Sequence, residues 1–209
     1  MSNIENLEWR YATKRYDTTK KLTPDQLNMI KESLRLSPSS FGLQAWKFVH
    51  VADPALRQEL AAAAWNQPQV TEASDLFVLA SYVSIDEAFV DKFVASVAET
   101  RGISVDVLQG YRDMMVGSVK GRTPEQLGEW LARQVYIPLG VALTVAADNH
   151  IDASPMEGFD SQKFNELLGL DKLNLCARTI LAVGFRSPED ETQNMKKSRF
   201  SQEEVFIER

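Results

Sequence analysis

The chain has 209 residues, 25% of them charged, with a formal net charge of −6, and this argues against a general nucleic-acid binder, which presents a basic face. Its single cysteine, Cys176, excludes an intramolecular disulfide and fits a reducing compartment. The opening residues Met1-Ser-Asn-Ile-Glu-Asn lack the apolar stretch of a secretory signal, and the near-apolar run Val135–Ala147 falls short of the roughly 18 residues of a spanning helix, so a cytoplasmic protein without a membrane partner is expected.

No repeat, low-complexity tract or linker divides the chain, so residues 1–209 read as one domain, with 187–209 as an extended tail. Ile4, Leu7 and Tyr11 fall on one helical face and predict a short helix near 3–11. Arg10-Tyr-Ala-Thr-Lys14-Arg15 follows, three cations within six residues, which taken alone is a solvated face. Thr23-Pro24-Asp25-Gln26 is a capping box with proline at the first helical position, and Leu27, Ile30 and Leu34 define the buried stripe behind it. Ser37-Pro38 stops that helix, because proline disfavours the α region for its predecessor. Ser39, Ser40 and Gly42 then offer hydroxyls and backbone N–H groups suited to an anion, ahead of a strand over Lys47–Val51.

Asp53-Pro54 starts a helix that reaches Trp65, where Asn66-Gln67-Pro68 breaks it. Leu76–Tyr82 is continuously apolar and reads as a central strand. Two amphipathic helices are expected over 87–100 and 104–119. The second carries Met114 and Met115, core filler by default and, in a sharper reading, an adaptable wall over a ligand pocket. Thr123-Pro124-Glu125-Gln126 repeats the capping box and starts a helix running to about Asn149. From Ile137 to Ala147 this helix is apolar nearly all round and must be buried on every face. A chain of this size rarely has a centre deep enough, so the helix is placed in the middle of a homodimer, kinked at Pro138.

Residues 151–160 read as a loop, 161–168 as a short helix, and Thr179–Phe185 as a further strand. The polar tail then carries the basic run Lys196–Arg199 and a last strand signal, Val205-Phe-Ile207, whose natural target is the edge of a partner's sheet. Other chemistries find little support. His50 lies within a strand and His150 at a helix end, too differently placed for a metal pair. No Gly-x-Gly pair marks a Rossmann site, and no G-x-S-x-G elbow or P-loop is present. Cys176 borders an apolar strand and reads as packed.

Four separated segments carry a resemblance: Arg10-Tyr-Ala-Thr-Lys14; Ser37-Pro-Ser-Ser40 with Gln44 and Trp46; Pro155-Met-Glu-Gly158 with Phe159-Asp160; and Lys197-Ser-Arg199. In order and spacing the chain resembles the FMN-dependent nitroreductase family along essentially its whole length. It looks most like the oxygen-insensitive NAD(P)H nitroreductase and flavin reductase branch, which Gln134-Val-Tyr136 also resembles. The resemblance implies an α+β fold, with a central, mostly antiparallel sheet flanked by helices. It implies a homodimer with the long helix at its interface, the C-terminal strand exchanged with the partner, and an FMN at each of two subunit interfaces.

By the same resemblance Arg10, Lys197 and Arg199 contact the FMN phosphate, and a guanidinium can hold two phosphate oxygens where lysine offers a point charge. Tyr11 and Ala12 flank that contact. Ser39 and Ser40 come from the second subunit, Pro38 and Gly42 are cofactor-binding positions of the same loop, and Gln134 comes from the long helix. Lys14 lies near the N1/O2 edge of the ring. Negative charge gathers there on reduction, and at about 4 Å with an effective dielectric near 20 the attraction is roughly 4 kcal/mol. Asn66 reads the pyrimidine end, Gln69 stands near the ring, and Pro155 and Met156 cover one face. The backbone N–H of Glu157 meets N5, with Gly158 permitting close approach. Met114 and Met115 align with the substrate lid.

Some positions depart from the pattern. Tyr11 and Ala12 stand where many members have polar residues, Gln69 where the nearest branch carries a second lysine, and Gly42 where it has asparagine. The implied activity is ping-pong, two-electron reduction of nitroaromatics, quinones or free flavins at the expense of NAD(P)H, with no metal. Two alternatives share these features: an FMN reductase of a specific metabolite such as a pteridine or enal, and a non-catalytic flavin-binding protein of the same fold.

Overall fold

Helix α1 (Asn3–Trp9) opens the computed structural model, which describes residues 3–209. It does not bury the face that periodicity selects. Ile4 and Leu7 point outward while Asn6 is buried and donates to Asp148 at 2.8 Å, so α1 is held by a polar contact and leaves an apolar face uncovered. Helix α2 (Pro24–Arg35) begins with the capping box expected of it: the Thr23 side chain accepts from Gln26 N, and the Gln26 side chain accepts from Thr23 N. Ile30 and Leu34 are fully buried on its inner face.

Four strands form one sheet: β1 (Trp46–Val51), β2 (Asp75–Tyr82), β3 (Asp152–Met156) and β4 (Leu175–Gly184), in the order β1-β2-β4-β3 with every pairing antiparallel. β3 corrects the expectation of a loop over 151–160. Asp, Ser and Pro obscure a strand in the sequence, yet β3 lies at the sheet edge, where proline's missing N–H costs no ladder bond. β4 also starts four residues earlier than expected. Its pairing with β2 shifts between Leu79 and Ala80, so that Thr179 faces Leu79 and Ala177 faces Ala80, leaving Arg178 as the extra residue of a bulge.

Around the sheet lie α3 (Pro54–Ala63), α4 (Gln69–Glu72), α5 (Glu87–Arg101), α6 (Gln109–Lys120) and α8 (Ser161–Leu168). Helix α7 (Pro124–Asp148) crosses one face. Phe77, Leu79, Leu181 and Val183 from the sheet meet Val135, Leu139, Ala142 and Ala146 of α7 and Ile30 of α2. On the opposite face Leu76, Val78, Ile180 and Ala182 pack with Leu60 and Phe164 of α3 and α8. A third cluster joins α5 and α6 to the first half of α7.

Helix α7 has the predicted extent and runs on through Pro138. By length and composition it meets the measure for a spanning helix, although Val135–Ala147 alone falls short of it. The sheet explains the apolar residues on one side only: 39% of its most apolar window is buried, and Ile137, Gly140, Val141 and Thr144 remain wholly or partly open. The tail makes a further difference. Val205 ends a one-turn helix, α9 (Gln202–Val205), and Phe206 and Ile207 pair with no strand of their own chain. Phe200, Val205, Phe206 and Ile207 are all exposed.

Candidate cofactor site at the chain termini

The segment after α1 and the tail come together over the edge strand. Between them lies a cleft of about 490 Å³, lined by Arg10, Tyr11 and Ala12 on one side, Lys197 and Arg199 on the other, and Pro155 of β3. Lys197 Nζ donates to the carbonyls of Leu7 and Arg10, which binds the tail to the end of α1. An isolated parallel bridge between Ala12 and Ala153 fixes the strand side.

Electrostatically the cleft is unbalanced. Burial holds the Arg10 guanidinium below its ordinary pKa, and Arg199 adds repulsion. Burial likewise lowers the Lys197 ammonium, with Arg10 and Arg199 repelling it and Glu8 on the rim opposing them in part. None of these cations has a carboxylate within ion-pair distance among the described residues. Arg10 Nε is buried without any hydrogen-bond partner. An unmet buried donor costs about 1–3 kcal/mol, and a dianion placed among three cations would remove that penalty. The donor set therefore fits a phosphate monoester.

Beneath the cleft sits a support that sequence reasoning missed. Arg186 donates to the buried Asp152 through its backbone N (2.8 Å) and Nε (2.7 Å), and its guanidinium lies 4.3 Å from the Trp9 ring and 4.6 Å from the Tyr11 ring. The residues flanking Arg10 thus clasp one paired cation. Asp190, also buried, accepts from Lys14 N (2.7 Å), Arg15 N (3.2 Å), the Tyr11 hydroxyl (3.0 Å) and Thr192 N (3.0 Å). The Tyr11 hydroxyl turns inward to Asp190. An acid in a polar tail carries no periodicity to mark it, and only the contact reveals its use.

The other predicted residues fall into three further places. Lys14 is exposed, anchored through its backbone alone. Asn66 follows Trp65, both with left-handed backbone (φ 54° and 53°), beside the end of β3. Gln67 donates to Gly158 O at 2.6 Å, and a Cβ on Gly158 would lie 2.8 Å from the Trp65 ring, so a side chain there would have to displace that exposed ring. Glu157 accepts a hydrogen bond from the Tyr136 hydroxyl, and burial together with that carboxylate pushes the tyrosine pKa up to about 12. Gln69 is buried with Oε1 unpaired, and Met156 is buried beneath the strand end.

Pro38, Ser39, Ser40 and Gly42 do not line the cleft. Ser40 N instead donates 2.8 Å to Gln134 on α7, and Phe41 and Gly42 adopt left-handed backbone (φ 56° and 72°). Phe93 would sit 3.2 Å from a Cβ at position 42, which accounts for glycine there. The loop is covered by α6, whose Tyr111 hydroxyl donates to Phe41 O at 2.7 Å. Of the methionine pair, Met115 is fully buried in the third cluster and only Met114 faces outward, which corrects the expectation that both present a surface to substrate. His50 pairs with Asp75 at 2.8 Å and His150 packs on Trp9, and the described residues contain no group of three His, Cys, Asp or Glu side chains suited to a metal. Cys176 lies partly buried against Ser161 and Asn165.

Comparison with known proteins bears on the family and the fold. Residues 7–185 match the model of the nitroreductase family. A Staphylococcus aureus (bovine strain RF122) protein provisionally named an NAD(P)H nitroreductase is 31% identical over 211 residues, covering 97% of this chain and 93% of its own. Among solved structures, a nitroreductase family protein from Streptococcus pneumoniae has a TM-score of 0.80 at 23% identity, covering 99% of both chains. A provisionally named nitroreductase from Exiguobacterium sibiricum, solved in complex with FMN, has a TM-score of 0.79 at 20% identity, covering 100% of this chain and 98% of that one.

Proposed function

Because the chain belongs to the nitroreductase family, we propose that it is a cytoplasmic, homodimeric, FMN-dependent NAD(P)H oxidoreductase that reduces nitroaromatics, quinones or free flavins. The single observation that carries the reading is the cluster of Arg10, Lys197 and Arg199 around the cleft of about 490 Å³, with the Arg10 Nε donor buried and unmet. When bound, FMN supplies hydride acceptance from NAD(P)H and two-electron delivery to an acceptor in a ping-pong cycle.

The chain's own residues bind and orient. Arg10 and Arg199 would hold the phosphate by charge-assisted bonds, with Lys197 adding charge while tying the tail down. Lys14 would place a cation at the edge where reduction gathers charge. Asn66 would read the pyrimidine end, with Gln69 standing near the ring. Pro155 and Met156 would floor one face, and the backbone N–H of Glu157 would face N5 across Gly158. Met114 would line the mouth.

The second chain enters through α7. Its open face around Ile137 and the uncovered Ile4 and Leu7 supply apolar surface for a partner. Pro38, Ser39, Ser40 and Gly42, with Gln134 behind them, lie away from their own cleft and would complete the partner's. The exposed Phe206 and Ile207 would add a strand to the neighbouring sheet edge. The whole of residues 1–209 acts as one unit in this scheme.

The test is an FMN titration of the purified dimer, then anaerobic mixing with NADH and with NADPH, and reoxidation by a nitroaromatic, a quinone and free riboflavin. Binding in the micromolar range or tighter and bleaching by a nicotinamide are expected. A dimer that leaves FMN free in solution would refute the proposal.

A further inference from the structure

We propose that Asp190 is the positioning residue of the cofactor cradle, the one carboxylate from which both of its arms are hung. This inference rests on the FMN reading above and assigns a role to a residue that touches neither cofactor nor substrate.

The geometry is that of a small hub. Asp190 is 1% exposed, on the loop between β4 and the basic tail. One carboxylate oxygen takes the backbone N–H groups of Lys14 and Arg15 and the hydroxyl of Tyr11; the other takes the N–H of Thr192. The first three donors belong to the N-terminal arm, which carries Arg10 and Lys14. Thr192 begins the C-terminal arm, which carries Lys197 and Arg199 and lines the cleft. Two chain ends about 180 residues apart in sequence thus share one fixed point.

No ion pair offsets the charge of Asp190 among the described residues. Burial raises the pKa of its carboxyl, and the N–H groups of Lys14 and Arg15 with the Tyr11 and Thr192 donors more than reverse this, leaving the group below the usual carboxylate range. It therefore remains an anion and draws four donors inward. Lys14 lies between the bridges at Ala12 and Tyr16, outside both, and its exposed side chain does not define its own backbone. Asp190 supplies that definition, and with it the direction in which the Lys14 ammonium leaves the chain. An arm held by charge-assisted bonds to a buried anion is rigid before the cofactor arrives, so ordering it costs no binding energy.

The consequence is specific to the phosphate and to the ring edge. Loss of the hub should loosen Arg10 relative to Lys197 and Arg199, which weakens FMN more than riboflavin, since riboflavin lacks the phosphate. It should also let the Lys14 cation recede, which lowers the flavin midpoint potential.

The experiment uses the full-length dimer with Asp190→Asn, Asp190→Ala and Tyr11→Phe. Three readouts are taken: FMN and riboflavin affinity by fluorescence titration, the midpoint potential by spectroelectrochemistry, and hydrogen exchange of the Lys14 and Arg15 amides without flavin. With Asp190→Asn, FMN affinity is expected to fall about tenfold, the factor associated with one charge-assisted hydrogen bond, while riboflavin affinity changes little. The potential should move negative and both amides should lose protection, with Tyr11→Phe giving a smaller change in the same direction. If Asp190→Ala does not fold, Asp190→Asn and Tyr11→Phe decide. Unchanged amide protection in Asp190→Asn, or equal loss of FMN and riboflavin at constant potential, overturns the proposal. If the unmodified protein binds no flavin, the functional reading fails, and amide protection still decides the hub.

Discussion

Replacing Arg10 by methionine should move stability and affinity in opposite directions. Arg10 is partly buried, its Nε has no partner, and Arg199 and Lys197 repel it. In the flavin-free protein this arrangement is a burden: an unmet buried donor alone costs about 1–3 kcal/mol. Methionine keeps most of the side chain's length and packing while removing the charge. The flavin-free variant should therefore gain on the order of 1 kcal/mol, and at roughly 2–4 °C per kcal/mol for a chain of this size its melting temperature should rise by a few degrees. With FMN present the sign reverses. One lost guanidinium–phosphate contact, at about 1.5–3 kcal/mol per charge-assisted bond, weakens affinity by roughly 10- to 150-fold. Calorimetric melting with and without saturating FMN, together with a binding titration, reads both effects. A variant that melts lower without FMN and binds FMN as well as the parent would refute the reasoning, because Arg10 would then be paired and structural.

Other outcomes test neighbouring parts of the structure. Gly158→Ala puts a Cβ 2.8 Å from an exposed Trp65 ring that can swing aside, so stability should change by less than about 1 kcal/mol while FMN affinity falls roughly tenfold; calorimetry and titration separate these effects. Ile137→Glu on the open face of α7 should convert dimer to monomer in light scattering, with FMN binding lost alongside because the partner's Ser39 and Ser40 are withdrawn. Glu87 links α5 to α6 through Lys120 and Arg112 (both 2.6 Å), and these partners hold its carboxyl at about 2, below its ordinary 4.5. A depressed carboxyl contributes stability above pH about 4.5 and loses it as pH falls toward 2, so Glu87→Gln should flatten the acid limb of the melting curve across that window. Equal acid limbs in parent and variant would show that the link carries nothing.

The elements legible in the chain were those specified by local chemistry. The two Thr-Pro-x-Gln boxes at residues 23 and 123 start α2 and α7 where they stand, because capping is settled within four residues. Continuous apolar runs marked β2 and the second half of β4. β3 was missed because its polar residues and proline are acceptable only at an edge, and edge position depends on the whole sheet. Met115 and Met114 are one residue apart, yet one is core and the other surface, a distinction fixed by how α6 sits on α5.

The candidate site divides in the same way. Its cationic residues were legible only through the family resemblance, since the Arg10–Arg15 run taken alone is a solvated face. Only the tertiary structure brought residue 10 to residue 197 and put Asp190 and Arg186 beneath them. The sequence determines which groups will seek a partner, through charge, capping and periodicity that act over a few residues. Which partner each finds follows from packing across more than a hundred residues, and no local pattern encodes that distance.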